Sequence, residues 1–217
     1  MKKLIFVLLS VAMLFGCSQK PDEETGEKHK SESGKAEEKV PESSPPSYVS
    51  NPQVTDDRSL KVKGQSFSDE KGELVLKEYK KLNEKISSGP ITMKITEAKQ
   101  MTYRPDYSLT DFFHSYTHED KFDFIKLSVE VNNSSNETLF FAPAASVKTD
   151  SAETKSWEED IYLEELNGQI RKNEAKKGNL GFIVEKTEIQ SFKVTTSEVL
   201  NEKKQAISPQ LVISIDF

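Results

Sequence analysis

The chain has 217 residues, 30% of them charged and 35% hydrophobic, and its formal net charge at pH 7 is -6. A net acidic chain that mixes Lys with Glu argues against nucleic acid as a partner, because binding to phosphates needs a basic face. Cys17 is the only cysteine in the sequence, so an intramolecular disulfide is excluded and the folded part must hold together by burial alone.

The first seventeen residues have the layout of an export signal. Lys2 and Lys3 precede an apolar run, Leu4 to Phe15, and the sequence Leu14-Phe15-Gly16-Cys17 follows. The run is too short to span a bilayer, which needs about 20 residues. Its end resembles the lipobox of bacterial lipoproteins, although an ordinary cleaved signal or anchor with a chance cysteine is the alternative. We predict cleavage of the signal peptide, residues 1–16, and lipidation of Cys17 on the extracytoplasmic face of the cell membrane.

A polar segment follows the predicted lipidation site. Residues 18–60 are dominated by Glu, Lys, Ser and Pro and contain few apolar side chains. Such a composition cannot bury enough surface to offset the entropy lost on ordering. We predict that residues 17–72 form a disordered linker, anchored in the membrane through the lipid on Cys17. The linker would hold a folded domain, residues 73–217, away from the membrane surface.

The start of the predicted domain has a helical pattern. Val75, Tyr79, Leu82 and Ile86 recur at helical spacing, and the surrounding Glu, Leu and Lys residues have high helix propensity. We predict one short helix over residues 73–82, followed by extended chain. The pattern alone does not decide between helix and strand for residues 73–86.

Beyond Pro90 the pattern is that of β-strands. Residues 91–96 and 122–131 alternate apolar with polar side chains, the period of a strand with one buried face. Further strands are predicted at 138–142, 146–149, 160–163, 180–184, 189–195 and 211–217, with an irregularity between Ile189 and Phe192 that would suit a bulge. About seven to eight short strands separated by turns predict an all-β fold, a β-sandwich.

Several of these stretches also carry a family resemblance that covers about residues 82–217. They are Ser88-Gly89-Pro90-Ile91-x-x-x-Ile95, Phe124-Ile125-x-Leu127-x-Val129-x-Val131-Asn132-Asn133-Ser134, Lys177-Gly178-Asn179-Leu180-x-Phe182 and Ile189-x-x-Phe192-x-Val194. The sequence resembles the telokin-like, immunoglobulin-fold domains of unknown function found in lipoproteins of Gram-positive bacteria. The resemblance implies an immunoglobulin-like β-sandwich and brings no catalytic residues. The chain lacks the cysteine pair of true immunoglobulin domains, and Trp157 is expected at a loop or edge.

The segment 101–120 joins two predicted strands and is far longer than a typical hairpin connection of about two to five residues. It contains Tyr103, Tyr107 and Tyr116, and tyrosine is a residue type enriched in binding hot spots. We therefore predict that these three tyrosines bind a protein or cell-wall partner. For the Phe112-Phe113 pair the alternative is that both rings fold inward and close one end of the sandwich.

Metal binding has weak support in the sequence. His114 and His118 would share one face if this stretch were helical, and imidazole with carboxylate suits zinc. No third ligand is specified, so a solvated loop is favoured. The acidic stretches 150–153 and 158–160 would offer oxygen ligands to calcium, but they lack the spacing of an EF-hand loop. We predict no cofactor.

The sequence contains no Gly-x-Ser-x-Gly motif and no phosphate-binding glycine loop. We predict a non-catalytic binding or interaction module. The alternative is a small wall-associated hydrolase or metal-dependent enzyme, because acidic residues that could form a catalytic carboxylate pair are abundant. A pocket lined by converging titratable groups would favour the enzyme.

Replacing Cys17 with Ala tests the lipoprotein hypothesis. Because the thiol would be the attachment point of the lipid, the variant should lose labelling by a clickable palmitate analogue and should accumulate as uncleaved precursor. Gel fluorescence and precursor size measure both effects. Labelling that persists in the variant would contradict lipidation at Cys17.

Overall fold

The structure, a computed structural model, describes residues 50–217, and β-strands dominate this part of the chain. The strands and the one short α-helix are β1 (Ser66–Asp69), β2 (Gly72–Ser88), β3 (Ile91–Pro105), α1 (Thr110–Phe113), β4 (Phe122–Asn133), β5 (Leu139–Phe141), β6 (Ser146–Thr149), β7 (Thr154–Ser156), β8 (Gly168–Ile170), β9 (Ala175–Val184), β10 (Ser191–Thr195), β11 (Val199–Leu200), β12 (Ala206–Ser208) and β13 (Val212–Asp216). Two 3-10 turns, Tyr107–Leu109 and Trp157–Glu159, accompany them. The predicted predominance of β-strand is confirmed.

The strands form three antiparallel sheets. The first sheet has the order β1-β2-β3-β4-β9, the second β13-β10-β6-β7, and the third β12-β11-β5-β8. The long strands β2, β3 and β4 pair over most of their length and make up the centre of the first sheet. No helix within residues 50–217 is long and apolar enough to cross a membrane.

The larger hydrophobic core contains side chains from all three sheets. The first sheet contributes Ile95, Leu127 and Phe182, the third sheet Phe141, and the second sheet Phe192, all buried. Alternating side chains of antiparallel strands therefore fill one common interior. The alternation in 122–131 that predicted a strand has this physical origin, because Leu127 and its neighbours two residues away face this core.

The opposite face of the first sheet is also buried. Leu76, Met101 and Phe124 belong to a second hydrophobic cluster, which is covered by Val54 and Leu60 from the segment that precedes β1. The central strands are therefore covered on both faces. The folded region begins well before β2, which the sequence did not predict.

The predicted boundary between linker and domain at residue 72 is accordingly wrong. Within residues 50–72, Val54 and Leu60 are buried, and the Asn51 amide donates a hydrogen bond to the Tyr162 carbonyl oxygen at 2.9 Å. This segment is ordered by a few well-separated contacts with the sheet rather than by a continuous apolar pattern. The predicted signal peptide and residues 17–49 of the predicted linker lie outside the described residues.

A buried group of charged side chains holds this segment against the first sheet. Lys99 and Lys126 are directly paired on β3 and β4, and both are buried. Lys99 Nζ lies 2.6 Å from Asp57 Oδ2, and Lys126 Nζ lies 2.6 Å from Asp57 Oδ1. Glu97 Oε1 lies 3.4 Å from Lys99 Nζ and 3.5 Å from Lys126 Nζ. We call these four residues the Asp57 cluster.

Strand β2 occupies the region of the helix predicted over residues 73–82, so that prediction was wrong. The register between β2 and β3 shifts twice, between Leu76 and Glu78 and between Lys81 and Glu84. Each shift displaces the alternation of buried and exposed side chains along the strand. Apolar residues of a single strand therefore recur every three to four residues, which imitates the pattern of a helix.

Most of the other predicted strands are present. Residues 91–96 lie in β3, 122–131 lie in β4, and 146–149 are β6. Residues 160–163 are the exception, because they form only one isolated bridge, between Asp160 and Phe182. The bulge predicted between Ile189 and Phe192 is also wrong, since Ile189 precedes β10 and the pairings of β10 are regular.

Candidate functional site

The three tyrosines that were predicted to bind a partner are not brought together at one surface. Tyr103 is fully buried, with 0% of its surface exposed. Its hydroxyl donates to the carbonyl oxygens of Gln53 at 3.1 Å and Lys71 at 2.6 Å, and burial raises the pKa of Tyr103 to about 12. The prediction for Tyr103 was wrong because residues 101–105 extend β3 and are not part of a loop.

The remaining aromatic residues of the segment are divided between interior and surface. Phe113 is buried, and its ring centre lies 5.5 Å from that of Tyr103. Its ring therefore folds inward, as the alternative interpretation for the two phenylalanines predicted. Phe112 is partly buried and packs against the ring of Tyr116 at 5.5 Å. Tyr107 alone among the three tyrosines is fully displayed, with 90% of its surface exposed.

The structure places His114 and His118 close together on the surface. Both side chains are exposed, and their ring centres are 5.9 Å apart. Within residues 50–217, no group of three or more His, Cys, Asp or Glu side chains is arranged to hold a metal ion. Two exposed imidazoles without a third ligand do not make up a structural zinc site, which needs about four protein ligands.

The first of the two acidic stretches is bonded to the protein itself. Asp150 Oδ2 accepts hydrogen bonds from the backbone N–H groups of Gln190 at 2.9 Å and Ser191 at 3.2 Å. Glu153 accepts from the N–H of Glu185 and pairs with Lys155 Nζ at 3.0 Å. These carboxylates therefore fix the loop beside β10 and satisfy backbone donors.

Asp160, in the second acidic stretch, fixes residues 160–162 on β9. Its Oδ1 accepts hydrogen bonds from the N–H groups of Gly181 at 2.8 Å and Tyr162 at 3.1 Å. Burial raises the pKa of Asp160 to about 6; these N–H groups oppose the change and the charge of Glu164 adds to it. A Cβ at position 181 would lie 2.7 Å from the Tyr162 ring, so the close approach depends on glycine.

A pocket of about 350 Å³ lies beside the third sheet. It is lined by residues of β5, β8 and β11 and by the 3-10 turn after β7, among them Phe140, Trp157, Asn167, Gly168, Ser197 and Leu200. Its volume is at the lower end of the range of small-ligand pockets, about 300–1,000 Å³. Most of the lining is apolar, and Trp157 is 48% exposed.

One residue that lines the pocket carries a polar atom without a hydrogen-bond partner. Asn167 Oδ1 is buried and forms no hydrogen bond within the described residues. The hydroxyl of Ser197, by contrast, accepts from the N–H of Ala142 at 2.8 Å and donates to the Glu198 carbonyl oxygen at 2.8 Å. A buried acceptor without a donor costs about 1–3 kcal/mol. A ligand could offer a hydroxyl or an amide N–H to this oxygen only after the Asn167 side chain turned it toward the pocket, because the atom is buried.

A cation adjoins the same pocket. Lys204 Nζ lies over the face of the Phe140 ring, in the manner of a cation–π contact. Trp157 was expected at a loop or edge, but nothing in the sequence connected it with binding. The usable signal was that Trp157 is the only tryptophan of the chain and was expected outside the core.

No family model matches the chain. It is 39% identical over 236 residues to the "Uncharacterized protein YdhF" of Bacillus subtilis (strain 168), and the match covers 100% of both chains. A solved structure of a functionally unknown protein from Listeria monocytogenes EGD-e is similar with a TM-score of 0.51 and 12% identity, covering 67% of this chain and 87% of that chain. A conserved hypothetical protein from Bacillus anthracis gives a TM-score of 0.33 and 11% identity, covering 63% of this chain and 90% of that chain.

Replacing Tyr103 and Tyr107 separately with Ala should have contrasting effects on stability. Tyr103→Ala removes a buried ring and two hydrogen bonds, so the free energy of unfolding should fall by about 3–5 kcal/mol. Tyr107→Ala is the matched control at an exposed site and should change it by less than about 0.5 kcal/mol. Urea denaturation measures both values. Equal effects would contradict the placement of Tyr103 in the second cluster.

Replacing Asp160 with Asn should alter the pH dependence of stability. The pKa is about 6 in the folded state against 3.8 for an aspartate exposed to water, so the stabilising proton is present below about pH 4 and is lost as pH rises through 6. Asn keeps the acceptor oxygen but cannot ionise. The variant should match the wild type near pH 4 and exceed its unfolding free energy at pH 7 by about 2–3 kcal/mol. Urea titrations between pH 4 and 8 that ran parallel for both proteins would contradict this.

Proposed function

The chain belongs to the family of the Bacillus subtilis protein YdhF, and we propose that it is a lipid-anchored protein of the extracytoplasmic membrane face with a non-catalytic binding module. The lipid on Cys17 would attach it to the membrane. The support for this location is the apolar run that ends in the Leu-x-Gly-Cys box. The observation that supports binding is the apolar pocket, one of whose lining residues, Asn167, has a buried side-chain oxygen without a hydrogen-bond partner.

We further propose that the binding module is an immunoglobulin-like β-sandwich. Support comes from the antiparallel pairing in all three sheets and from the core that side chains of all three share. In this proposal the first sheet forms one layer, and the second and third sheets together form the other. The similarity to the Listeria monocytogenes protein concerns the fold only.

The surroundings of the pocket favour binding over catalysis. Its lining contains no His, Cys, Asp or Glu side chain, and its one serine hydroxyl already donates to a backbone carbonyl. A hydrolytic site would need a carboxylate pair or an activated nucleophile that faces the substrate. The acidic side chains Asp150, Glu153 and Asp160 instead accept hydrogen bonds from backbone N–H groups. The proposal of a wall-associated hydrolase or metal-dependent enzyme is therefore the weaker one.

The chemistry of the pocket indicates the class of partner. Aromatic faces and one hydrogen-bond acceptor suit a neutral group that carries hydroxyl or amide donors on an apolar body. The net charge of -6 disfavours polyanions, because like charges repel over long distances. We propose that the partner is the neutral glycan and amide portion of the cell wall.

The fluorescence of Trp157 can test the proposal directly, because it is the only tryptophan in the chain. The probe is a mixture of peptidoglycan fragments released by a muramidase, titrated into the full-length protein. Emission should change saturably as the fragments exclude water from the indole. Asn167→Ala should weaken the affinity about three- to tenfold, the value of one hydrogen bond of about 0.5–1.5 kcal/mol.

Tyr107→Ala serves as the matched control, since it removes an exposed aromatic side chain outside the pocket. Its titration curve should overlay that of the wild type. Emission that does not respond to the fragments, or an Asn167→Ala protein that binds as tightly as the wild type, would contradict cell-wall binding at this pocket.

A further inference from the structure

Asp57 and Lys99 hold a carboxyl group and an amine in contact inside the protein, at the point where the segment before β1 crosses the first sheet. We propose that these two side chains condense to an intramolecular amide bond, which covalently joins that segment to strand β3. The inference does not depend on the proposed cell-wall binding, because the Asp57 cluster and the pocket share no residue.

The two reacting groups are fixed and shielded from water. Lys99 Nζ donates to Asp57 Oδ2 at 2.6 Å and to the Asp57 carbonyl oxygen at 2.8 Å. The side chain of Lys99 is 0% exposed, and its Nζ lies 5.7 Å from the centre of the Tyr79 ring. Groups held in this way react with effective molarities of about 10⁵–10⁸ M. Such values favour condensation, and exclusion of water slows the reverse hydrolysis.

The neighbouring residues supply the chemistry that condensation requires. Lys126 Nζ donates to both oxygens of Asp57, at 2.6 and 2.7 Å, so its positive charge polarises the carboxyl group and would stabilise an oxyanion there. Glu97 Oε1 lies 3.4 Å from Lys99 Nζ and can carry protons between the amine and the leaving oxygen. The Asp57 cluster thus brings together an electrophile (Asp57), a nucleophile (Lys99), a cation that stabilises an oxyanion (Lys126) and a proton carrier (Glu97).

The ionisation of the cluster agrees with these roles. Burial lowers the pKa of Lys99, the charges of Asp57 and Glu97 oppose this change, and the charge of Lys126 adds to it. The net lowering favours the neutral amine that acts as nucleophile. Burial alone would raise the pKa of Glu97, but the hydrogen bond from Lys61 and the charges of Lys126 and Lys99 bring it to about 2. Glu97 is therefore ionised and able to accept a proton, although its low pKa makes it a weak base.

The reaction balances without any other reactant. Glu97 takes one proton from the Lys99 ammonium group, and the amine lone pair forms a bond to Cγ of Asp57. The resulting tetrahedral centre loses a second proton from nitrogen, the bond from Cγ to Oδ2 breaks, and that oxygen leaves with both protons as water. Glu97 ends in its starting state. Neither oxidant nor cofactor is consumed.

The product also relieves an electrostatic cost. Two ammonium groups and two carboxylates in a protein interior each carry a large desolvation penalty. The amide replaces one charge of each sign by a neutral group and leaves Lys126 opposite Glu97. Because the chain has a single cysteine, a disulfide cannot give the start of the fold the same covalent closure.

Peptide mapping of the full-length protein tests the cross-link. Trypsin acting on the denatured protein without the bond would release residues 40–58, 95–99 and 100–121 as separate peptides. With the bond, cleavage after Lys99 is lost, and one species contains 40–58 joined to 95–121, lighter than their sum by one water. Tandem mass spectrometry should place the linkage at Asp57 and Lys99. Separate peptides in the folded wild-type protein would overturn the proposal, as would a linkage to Lys126.

Variants distinguish the reaction from mere proximity. Glu97→Gln should slow formation of the joined species about 100-fold in freshly refolded protein, the lower range for loss of a general acid–base group. Lys99→Arg should abolish it, and Lys61→Arg, which keeps the exposed ion pair with Glu97, should not. Circular dichroism confirms folding of each variant. A joined species that forms at the wild-type rate in Glu97→Gln would overturn the role of Glu97.

Discussion

The burial of Lys99 and Lys126 next to each other is the constraint on which the first sheet depends. The two residues are directly paired on β3 and β4, so their ammonium groups would repel each other in an interior of low dielectric constant. The two carboxylate oxygens of Asp57 pair with both ammonium groups. Asp57 lies in the segment before β1 and is not part of any strand of the sheet. The sheet can therefore bury its second face only when the segment around Asp57 lies across it. Tyr103 adds an uncharged contact to this segment, through its hydrogen bond to the carbonyl oxygen of Gln53.

The sequence predicted those parts of the fold in which side-chain alternation is undisturbed. Strand β4 alternates without a break from Ile125 to Val131, and the prediction for it was confirmed. Strand β2 contains two register shifts, so its apolar residues followed a helical spacing although the chain is extended. The segment before β1 could not be predicted because its order depends on long-range contacts of a few residues. Val54, Leu60 and Asp57 are separated by polar residues, and only the sheet shows what they contact.

The same constraint explains why the tyrosines were a poor guide to a binding surface. A sheet that is covered on both faces needs large side chains on both, and the aromatic residues of 101–120 supply much of the second cluster. Tyr103 and Phe113 are buried there, with Phe122 packed against both rings. Aromatic enrichment in a segment is evidence of binding only where the chain leaves the rings exposed. Trp157 meets that condition, but no other residue of the pocket lies near it in the sequence. The other residues that line the pocket are 10 or more positions away.

The pocket and the Asp57 cluster divide the requirements of a binding module between different parts of the fold. Binding needs an exposed aromatic face and a hydrogen-bond acceptor without a partner. Beside the third sheet, Trp157 provides the aromatic face and Asn167 provides the acceptor. Stability needs groups whose partners are complete, and the Asp57 cluster provides these on the first sheet. An unpaired acceptor lowers stability, so a protein retains one most readily where a ligand completes it. That asymmetry makes the pocket beside the third sheet, rather than the buried charges, the place to look for a partner.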